Sequence, residues 1–476
     1  MNTHCIPDDF YFEPLSDRQV VARFDGGTIT SDGGALLLAE VERRTAILQR
    51  LSQCFTDHRD PDLIEHTTLQ LLRQRIYALA LGYEDLNDHD ILRSDPLLAT
   101  LVGKTDPTGQ DRLRPRDQGK PLAGKSTLNR LELTPSDATA AARYKKIVAD
   151  ADAIDRLFVE VFLQAHATPP SQIVLDLDAT DDPLHGHQEG RFFHGYYGEY
   201  CYLPLYIFCG EHLLCARLRT ADRGVAYGAL DELIRIITQI RAAWPQVRIL
   251  VRGDSGFCRD DIMAWCEAHE VDYLFGLAKN SRLLEPIEQP LADAHARYLG
   301  TGVAARLFVE LRYRTLDSWS CERRVVAKAE WLAKGANPRF VVTSLSEHAR
   351  EAQALYEEDY CGRGDMENRI KEQQLWLFAD RTSTALLPSN QLRLYFSSVA
   401  YLLLSALRRL GLSGTALASA QCGTMRLRLL KIGALVRVTV RRVWVSLASS
   451  YPWREVFASV YANLRGDSQP GVTMVT

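Results

Sequence analysis

The sequence predicts an α/β fold in which helices cover a mixed β-sheet. Three observations in the middle of the chain favour it. First, between residues 171 and 278, apolar strand-like runs are interleaved with amphipathic helical runs. Second, their order is strand, strand, strand, helix, strand, helix, strand. Third, two of the strands end in an aspartate. Because strands and helices that alternate along a chain pack as layers, this order predicts a sheet with helices on its faces.

Residues 1–165 are predicted to form a mostly helical N-terminal region. Two Asp-Gly-Gly turns indicate a short hairpin that leads into a helix over residues 34–51, in the string ARFDGGTITSDGGALLL. Residues 63–81 place leucine and isoleucine at helical spacing. Residues 104–121 are polar and punctuated by Pro and Gly, which is typical of an exposed loop.

The predicted core consists of residues 166–284 and 349–410. Its first strand, SQIVLDLDAT, alternates apolar with acidic residues, and a later one, VRILVRGDSGF, is of the buried type. The string GALDELIRIITQIRAAW has the spacing of an amphipathic helix. Residues 285–348 interrupt this pattern with charged stretches such as RLFVELRYRTL, which predict a β-rich insertion.

Residues 411–476 are predicted to form a basic C-terminal region that contains strands. From Tyr401 to Thr476 there are ten Lys and Arg against two acids, whereas the whole chain carries a net charge of −4. An acidic body with a basic tail argues against a protein that is basic throughout, but it allows a local face that binds phosphates. Arginines that only solvate exposed strands are the alternative explanation.

Composition excludes several classes of protein. The 476 residues are 46% apolar and 24% charged, as in ordinary globular proteins. No apolar run reaches the roughly 18 residues that cross a bilayer, and the N-terminus lacks the pattern of a secretory signal. The ten cysteines form no Cys-x-x-Cys pair, which is typical of reduced thiols. We therefore expect a cytoplasmic protein without a membrane partner.

Four polar side chains at helical spacing form the most informative motif. Tyr360, Arg363, Glu367 and Lys371 are separated by three, four and four residues in YCGRGDMENRIKEQQLW. Side chains at these separations share one face of an α-helix. A ring, a guanidinium, a carboxylate and an ammonium do not form a core seam. They suit a surface that binds a divalent metal through the carboxylate and phosphate oxygens through the cations.

Two aspartates at strand ends would complete such a site. Asp178 ends the first strand of the predicted core, and Asp254 ends a later strand, before a Ser-Gly turn. Carboxylates at the carboxyl ends of neighbouring strands converge at one edge of a sheet. Asp176 lies on the same face of its strand as Asp178, so both are candidates for the first ligand.

The chemistry of these ligands predicts the metal. Carboxylate oxygens without a partnering His or Cys favour Mg²⁺, with Mn²⁺ as a substitute. Two such ions about 4 Å apart stabilise both the attacking and the leaving oxygen of a phosphodiester displacement. The residues therefore predict a two-metal site that acts on a phosphodiester.

At these residues the sequence resembles the DDE transposases of bacterial insertion sequences. The resemblance is to the branch with a Y-x2-R-x3-E-x6-K signature, and within it to proteins with a group-1 DDE transposase domain. It covers about residues 20–460. The strings that carry it are LDLDATDDPLHGHQEGRFFHGYYG, VRGDSGFCRDD, YCGRGDMENRIKE, DRTST and NQLRL.

This resemblance implies a ribonuclease-H-like fold, with the β-rich insertion between the second aspartate and the glutamate. It makes Asp178, Asp254 and Glu367 the metal-binding and catalytic triad. Asp178 is preferred over Asp176 because the family's D-x-T string begins at Asp178.

The resemblance also assigns contacts to DNA. Tyr360 and Arg363 become phosphate contacts on one of the DNA strands. The lysine of the signature is missing, because its position holds Gln374, which brings no charge. Lys371, one helical turn earlier on the same face, is the candidate substitute.

The implied activity is Mg²⁺-dependent cleavage of DNA at terminal inverted repeats, followed by transfer of the freed 3′ ends into target DNA, as in cut-and-paste transposition. The helical N-terminal region is then expected to bind the terminal repeats, and a homodimer is expected on the paired DNA ends. A catalytically inactive DNA-binding descendant is the main alternative, which Gln374 leaves open. A glycosidase with paired carboxylates is less consistent with the cationic helix face.

Four further residues are candidates for DNA contacts. Trp319, in the predicted insertion, is placed either to stack on an extruded base or in the core of the insertion. Arg426, Arg428 and Lys431 lie in the basic C-terminal region, where they are expected to bind DNA phosphates.

Overall fold

The computed structural model describes residues 9–466. Residues 1–8 of the predicted N-terminal region and 467–476 of the predicted C-terminal region lie outside the described residues. The chain divides into two compact units. The terminal unit comprises Met1–Leu48, Arg59–Leu131 and Ala406–Thr476, and the central unit comprises Gln49–His58 and Glu132–Ser405.

Helices occur along the whole described chain. In chain order they are α1 (Leu36–Thr45), α2 (Ile47–Gln53), α3 (Thr68–Leu81), α4 (His89–Leu92), α5 (Pro96–Val102), α6 (Lys125–Glu132), α7 (Ala151–Gln164), α8 (Ala229–Ala243), α9 (Asp260–Ala268), α10 (Ser281–Leu284), α11 (Glu288–Thr301), α12 (Ala352–Ala354), α13 (Gly364–Leu377), α14 (Leu387–Gly411), α15 (Cys422–Met425) and α16 (Arg454–Arg465).

The strands are concentrated in the central unit. In chain order they are β1 (Phe10–Leu15), β2 (Arg18–Ala22), β3 (Ile29–Thr30), β4 (Phe55–Asp57), β5 (Ile147–Ala149), β6 (Gln172–Ala179), β7 (Asp182–Pro183), β8 (Phe192–His194), β9 (Glu199–Tyr202), β10 (Leu205–Cys209), β11 (His212–Arg217), β12 (Arg248–Gly253), β13 (Asp272–Leu277), β14 (Ala305–Tyr313), β15 (Arg323–Leu332), β16 (Gly335–Ala336), β17 (Arg339–Thr343), β18 (Ala434–Val438) and β19 (Val443–Leu447).

A large mixed sheet forms the framework of the central unit. Over the described residues its strand order is β11-β10-β6-β12-β13-β17-β15-β14, with β16 paired to β15. β6, β12 and β13 run parallel, and β10 and β17 are antiparallel to their neighbours. The predicted α/β fold with a mixed sheet is confirmed.

The main apolar core of the central unit lies between one face of this sheet and the helices α7, α8 and α9. Its buried side chains include Phe162, Leu175, Leu177, Ile236, Val251 and Met263. Removal of these side chains from water is the dominant force that holds the helices on the sheet. The core therefore fixes the strands whose ends carry the predicted aspartates.

The opposite face of the sheet carries the helical segment 352–377. Leu250 of β12 packs there with Leu355 and Tyr356. Because successive side chains of a strand point to opposite faces, Leu250 faces this segment while its neighbour Val251 faces the main core. The segment with the Tyr-Arg-Glu-Lys motif is thus held against the central strands of the sheet.

Residues 285–348 contribute strands to the same sheet. α11 precedes β14, and β14, β15 and β17 continue the sheet beyond β13 in antiparallel fashion. The range predicted as a β-rich insertion thus contains a helix as well as strands, and its boundaries stay a prediction.

The terminal unit combines helices with a small sheet of order β19-β18-β3. The hairpin predicted at the Asp-Gly-Gly turns is wrong: β1 pairs with β2 before the first turn, and β3, between the turns, pairs with β18. The reason is that the second turn packs against residues about four hundred positions later in the chain. Gly33 N donates to Ile432 O at 2.8 Å, and a Cβ on Gly34 would lie 1.7 Å from Leu429 O.

In the described part of the chain, no helix is long and apolar enough to cross a membrane.

Candidate functional site

The strand topology places the two predicted aspartates at one edge of the sheet. Asp178 is the last residue but one of β6, and Asp254 directly follows β12. β6 and β12 are parallel neighbours, with Leu177 opposite Gly253. Their carboxyl ends therefore meet, which is where α/β sheets place their sites.

The helical segment that brings Glu367 to this edge is irregular. A π-helical turn covers Leu355–Tyr360, a 3-10 turn covers Cys361–Arg363, and α13 begins at Gly364. The predicted regular α-helix through Tyr360, Arg363 and Glu367 is therefore wrong in its first part.

The physical reason for this irregularity is a side chain from the sheet. Arg252 of β12 donates to Asp359 O, within the π-helical turn. A Cβ on Gly362 would lie 2.9 Å from Arg252 Nη1, so a larger residue there would force the guanidinium to shift. π-Turns of this kind are frequent at functional sites.

Arg363 links two of the three predicted catalytic carboxylates. Its Nη1 lies 3.5 Å from Asp178 Oδ2, and its Nη2 donates to Glu367 Oε1 at 3.1 Å. The side chain of Asp178 is 16% exposed and that of Glu367 is 44% exposed. Solvent therefore reaches the site from the Glu367 side.

The carboxylates are close enough to affect each other's charge. Burial raises the pKa of Asp178 to about 6, the Arg363 guanidinium opposes this rise, and the charges of Asp254 and Glu367 add to it. Backbone amides fix both aspartates: Ala179 N donates to Asp178 Oδ1 at 2.9 Å, and Gly256 N donates to Asp254 Oδ1 at 2.8 Å. Two of the acids therefore contact the Arg363 guanidinium, and Asp254 is close enough for its charge to act on it.

These residues fit a divalent cation by their chemistry. Their donors are carboxylate oxygens, which hard cations prefer, and a cation would relieve the repulsion among them. Over residues 9–466, no group of three or more His, Cys, Asp or Glu has the geometry of a preformed metal site. Binding of a cation to Asp178, Asp254 and Glu367 would accordingly require their side chains to draw together.

Without metal, Asp178→Asn is expected to stabilise the protein above pH 6. The raised pKa means that folded protein binds more protons than unfolded protein between pH 3.8 and about 6, so wild-type stability falls as pH rises through this window. A pKa rise of this size corresponds to a loss of up to about 3 kcal/mol of unfolding free energy. The variant avoids this loss because the asparagine side chain is neutral.

The measurement is urea unfolding in EDTA at several pH values, with the exposed Asp317→Asn as control. A wild type whose stability does not fall between pH 4 and 6 relative to the variant would contradict the burial of an ionised Asp178. Added Mg²⁺ should stabilise wild type and not Asp178→Asn.

Asp176, the alternative first ligand, forms an ion pair with Arg252. Its Oδ2 accepts from Arg252 Nη2 at 2.8 Å and its Oδ1 accepts from Arg252 Nε at 2.5 Å. Both side chains are buried, with 5% exposure for Asp176 and 8% for Arg252. The two carboxylates on this face of β6 thus have different surroundings.

The remaining motif residues have different surroundings. The hydroxyl of Tyr360 lies against Gly276 of β13, where a Cβ would be 2.5 Å away. Burial raises the pKa of Tyr360, Arg363 opposes the rise, and Asp254 adds to it, so the hydroxyl is near Asp254. Lys371 is exposed on α13, and Gln374 Nε2 donates to Asp181 O at 3.3 Å.

Trp319 occupies a core position in the central unit. It is 4% exposed, and its ring packs edge-on against that of Tyr313, with 5.6 Å between centroids. The Arg323 guanidinium lies 5.5 Å from the ring centroid. This is the second of the two placements that the sequence left open.

The three cations of the basic C-terminal region belong to the terminal unit and have partners within it. Arg426 is buried and donates to Ala80 O at 2.9 Å. The guanidinium of Arg428 lies 4.7 Å from the centroid of Trp453. Lys431 Nζ lies 2.7 Å from Asp32 Oδ1.

Sequence analysis missed Arg252, which connects the sheet to the helical segment. The signal was present: an arginine inside an otherwise apolar, buried-type strand needs a buried acid as partner. Asp176, two residues before Asp178 on a neighbouring apolar strand, is that acid.

Comparison with known proteins gives a family and a similar structure. The family described as "Transposase DDE domain group 1" matches residues 12–469. The cryo-EM structure of the piggyBac transposase synaptic complex with hairpin DNA is similar, at 10% sequence identity and a TM-score of 0.42, over 93% of this chain and 83% of that one. None of the curated proteins matches this chain.

Proposed function

The chain belongs to the group 1 family of transposases with a DDE domain, and we propose that it cuts DNA at the terminal inverted repeats of an insertion sequence and joins the freed 3′ ends to target DNA. The observation that carries this proposal is the meeting of Asp178, Asp254 and Glu367 around Arg363 at the carboxyl edge of the sheet. The large mixed sheet with helices on both faces supports the ribonuclease-H-like assignment.

The three carboxylates are proposed to hold two Mg²⁺ ions, with Mn²⁺ as a substitute. When bound, these ions supply a nucleophile at neutral pH and stabilise the oxygens of the phosphodiester being displaced. The protein's part is to fix the ligands: backbone amides orient Asp178 and Asp254, and α13 carries Glu367.

Asp178 is proposed as the first ligand rather than Asp176. The support is the different bonding of the two: both oxygens of Asp176 accept hydrogen bonds from Arg252, whereas Asp178 makes a longer contact of 3.5 Å to Arg363. A ligand set that used Asp176 would leave the Arg252 guanidinium buried without its carboxylate.

Arg363 is proposed to change partners when DNA binds. Its guanidinium neutralises Asp178 and Glu367 in the absence of other charges, and it becomes available for a phosphate once cations take over that role. Tyr360, whose hydroxyl lies near Asp254, is the second proposed phosphate contact. Lys371 is exposed one turn beyond Glu367 and is a third, while Gln374 offers only a neutral hydrogen bond.

The other parts of the chain are proposed to hold the DNA. Residues 1–165 are proposed to bind the terminal repeats, and the basic residues of 411–476, apart from the buried Arg426, to contact DNA phosphates. Their support is that helices of the N-terminal region and β18 of the C-terminal region belong to one compact unit, in which β3 pairs with β18. Residues 166–284 and 349–410 remain the proposed catalytic core, and a homodimer on paired DNA ends remains the proposed assembly.

Cleavage of a labelled duplex that carries the terminal repeat tests this function, in Mg²⁺, in Mn²⁺ and in EDTA. Nicking at the repeat end that requires either metal is the expected result. Binding without cleavage in both metals would instead favour the inactive DNA-binding descendant, and Gln374→Lys would then test whether the missing signature charge is the cause. Cleavage that persists in EDTA would reject the proposed metal mechanism.

A further inference from the structure

A hairpin of the central unit carries an exposed aromatic surface. β8 and β9 pair antiparallel, with Phe193 opposite Tyr200. Both rings are exposed and meet edge to face, with 5.6 Å between centroids. Tyr196, in the turn that joins the strands, is 87% exposed. Contiguous exposed apolar patches often mark sites where a partner or ligand binds.

The base of this hairpin is anchored, so its aromatic surface is preformed. Glu189 N donates to Ala385 O at 2.8 Å, and Glu189 Oε2 accepts from Leu387 N at 3.0 Å. Gly190 has a φ of 68°, and a Cβ there would lie 2.6 Å from Thr220 Cγ2, so the chain packs closely where the hairpin begins. A fixed surface loses little conformational entropy when a ligand binds.

The hairpin is continuous with the candidate catalytic site. Tyr197, in its turn, packs in a small cluster with Cys201 and with Ala179, the residue after Asp178. Burial and then the charges of Asp181 and Asp178 raise the pKa of Tyr197 to about 12, as expected for a hydroxyl near both acids. The turn of the hairpin therefore lies beside the strand that carries Asp178.

The chemistry of the surface selects unpaired bases. The Arg191 guanidinium lies 4.1 Å from the centroid of the Tyr200 ring, so a cation accompanies the rings and complements a phosphate backbone. Aromatic side chains stack on nucleobases of any sequence, but in a duplex the faces of the bases are hidden in the stack. Only a strand with unpaired bases can use both the rings and the cation.

We propose that Phe193, Tyr196 and Tyr200 form a stacking surface for unpaired DNA bases next to the catalytic carboxylates. This proposal rests on the proposed transposase function, because DNA cleavage would bring a DNA strand to Asp178. It adds a contact that the acids and the Tyr-Arg-Glu-Lys motif do not supply.

The test is fluorescence anisotropy in EDTA with two probes, a labelled oligothymidylate and a blunt duplex of the same length. Phe193→Ala, Tyr196→Ala and Tyr200→Ala should each weaken binding of the oligothymidylate about tenfold and leave binding of the duplex almost unchanged. Tyr200→Phe keeps the ring and should bind like wild type. Tyr144→Ala is the matched control, since Tyr144 is also exposed and has the Arg143 guanidinium 4.8 Å from its ring centroid.

Several results would overturn stacking. They are wild-type affinity of all three alanine variants for the oligothymidylate, an equal loss for both probes, or a wild type that binds the duplex and not the oligothymidylate. Each of these leaves the transposase proposal intact, because metal-dependent cleavage is measured separately. A wild type that binds neither probe would contradict both proposals.

Discussion

Glu367→Gln is expected to abolish DNA cleavage while the protein stays folded and still binds DNA. Glutamine keeps the size of the side chain and can still accept the hydrogen bond from Arg363 Nη2. It removes the negative charge that a divalent cation needs. Loss of several kcal/mol of metal-based transition-state stabilisation corresponds to a cleavage rate at least about a thousandfold lower.

The measurement is the cleavage rate of a labelled duplex with the terminal repeat in Mg²⁺, together with duplex binding in EDTA. Glu358→Gln is the control: Glu358 also pairs with an arginine, Arg350, but lies in the π-helical turn with its side chain exposed. The control should cleave like wild type. Cleavage by Glu367→Gln at the wild-type rate would remove Glu367 from the metal site.

The same experiment separates two explanations of the Arg363–Glu367 pair. An ion pair between residues four apart on a helix contributes only a few tenths of a kcal/mol, and Glu367 is partly exposed. If the pair were only structural, neither cleavage nor stability would change much. A large loss of cleavage with a small loss of stability is therefore specific to a catalytic carboxylate.

The positions of the two aspartates could be predicted from the sequence because they depend on local pattern and on a general rule. Asp178 and Asp254 each end an apolar run, and parallel neighbouring strands bring their carboxyl ends together. The mixed sheet followed from the order of the runs. These features need only strand periodicity and chain order, both of which a single sequence contains.

The shape of the helical segment could not be predicted, because its cause lies far away in sequence. The π-helical turn at Leu355–Tyr360 forms where Arg252, more than one hundred residues earlier, donates to Asp359 O. A prediction from helical spacing considers the segment alone and therefore gives a regular helix. Likewise, burial of Trp319 depends on its packing against Tyr313 and Arg323, which the local sequence does not specify.

The choice between Asp176 and Asp178 shows the same limit. Both lie on one face of β6, so alternation alone leaves them equivalent. They differ because Arg252, on the neighbouring strand, lies opposite Asp176 in the register. Tertiary pairing thus holds Asp176 in an ion pair with Arg252, whereas Asp178 has only the longer contact with Arg363.

Breaking the buried pair of Asp176 and Arg252 is expected to cost about 3–5 kcal/mol of unfolding free energy, because either change leaves an uncompensated buried charge. Asp176→Asn and Arg252→Met should therefore both lower stability strongly, whereas Glu358→Gln, at an exposed pair, should cost less than about 1 kcal/mol. Urea unfolding of each variant measures this. A cost below about 1 kcal/mol for both buried variants would contradict the pair's role.

The double variant Asp176→Asn with Arg252→Met tests whether the loss comes from the pair itself. Since the two side chains contact each other, the double variant should lose less stability than the two single variants together. Arg252 also bonds to Asp359 O and lies against Gly362, so its loss should shift Tyr360 and Arg363 as well. We expect Arg252→Lys, which keeps the charge, to retain more cleavage than Arg252→Met at equal folded fraction. Equal cleavage by the two variants would mean that Arg252 stabilises the fold without positioning the site.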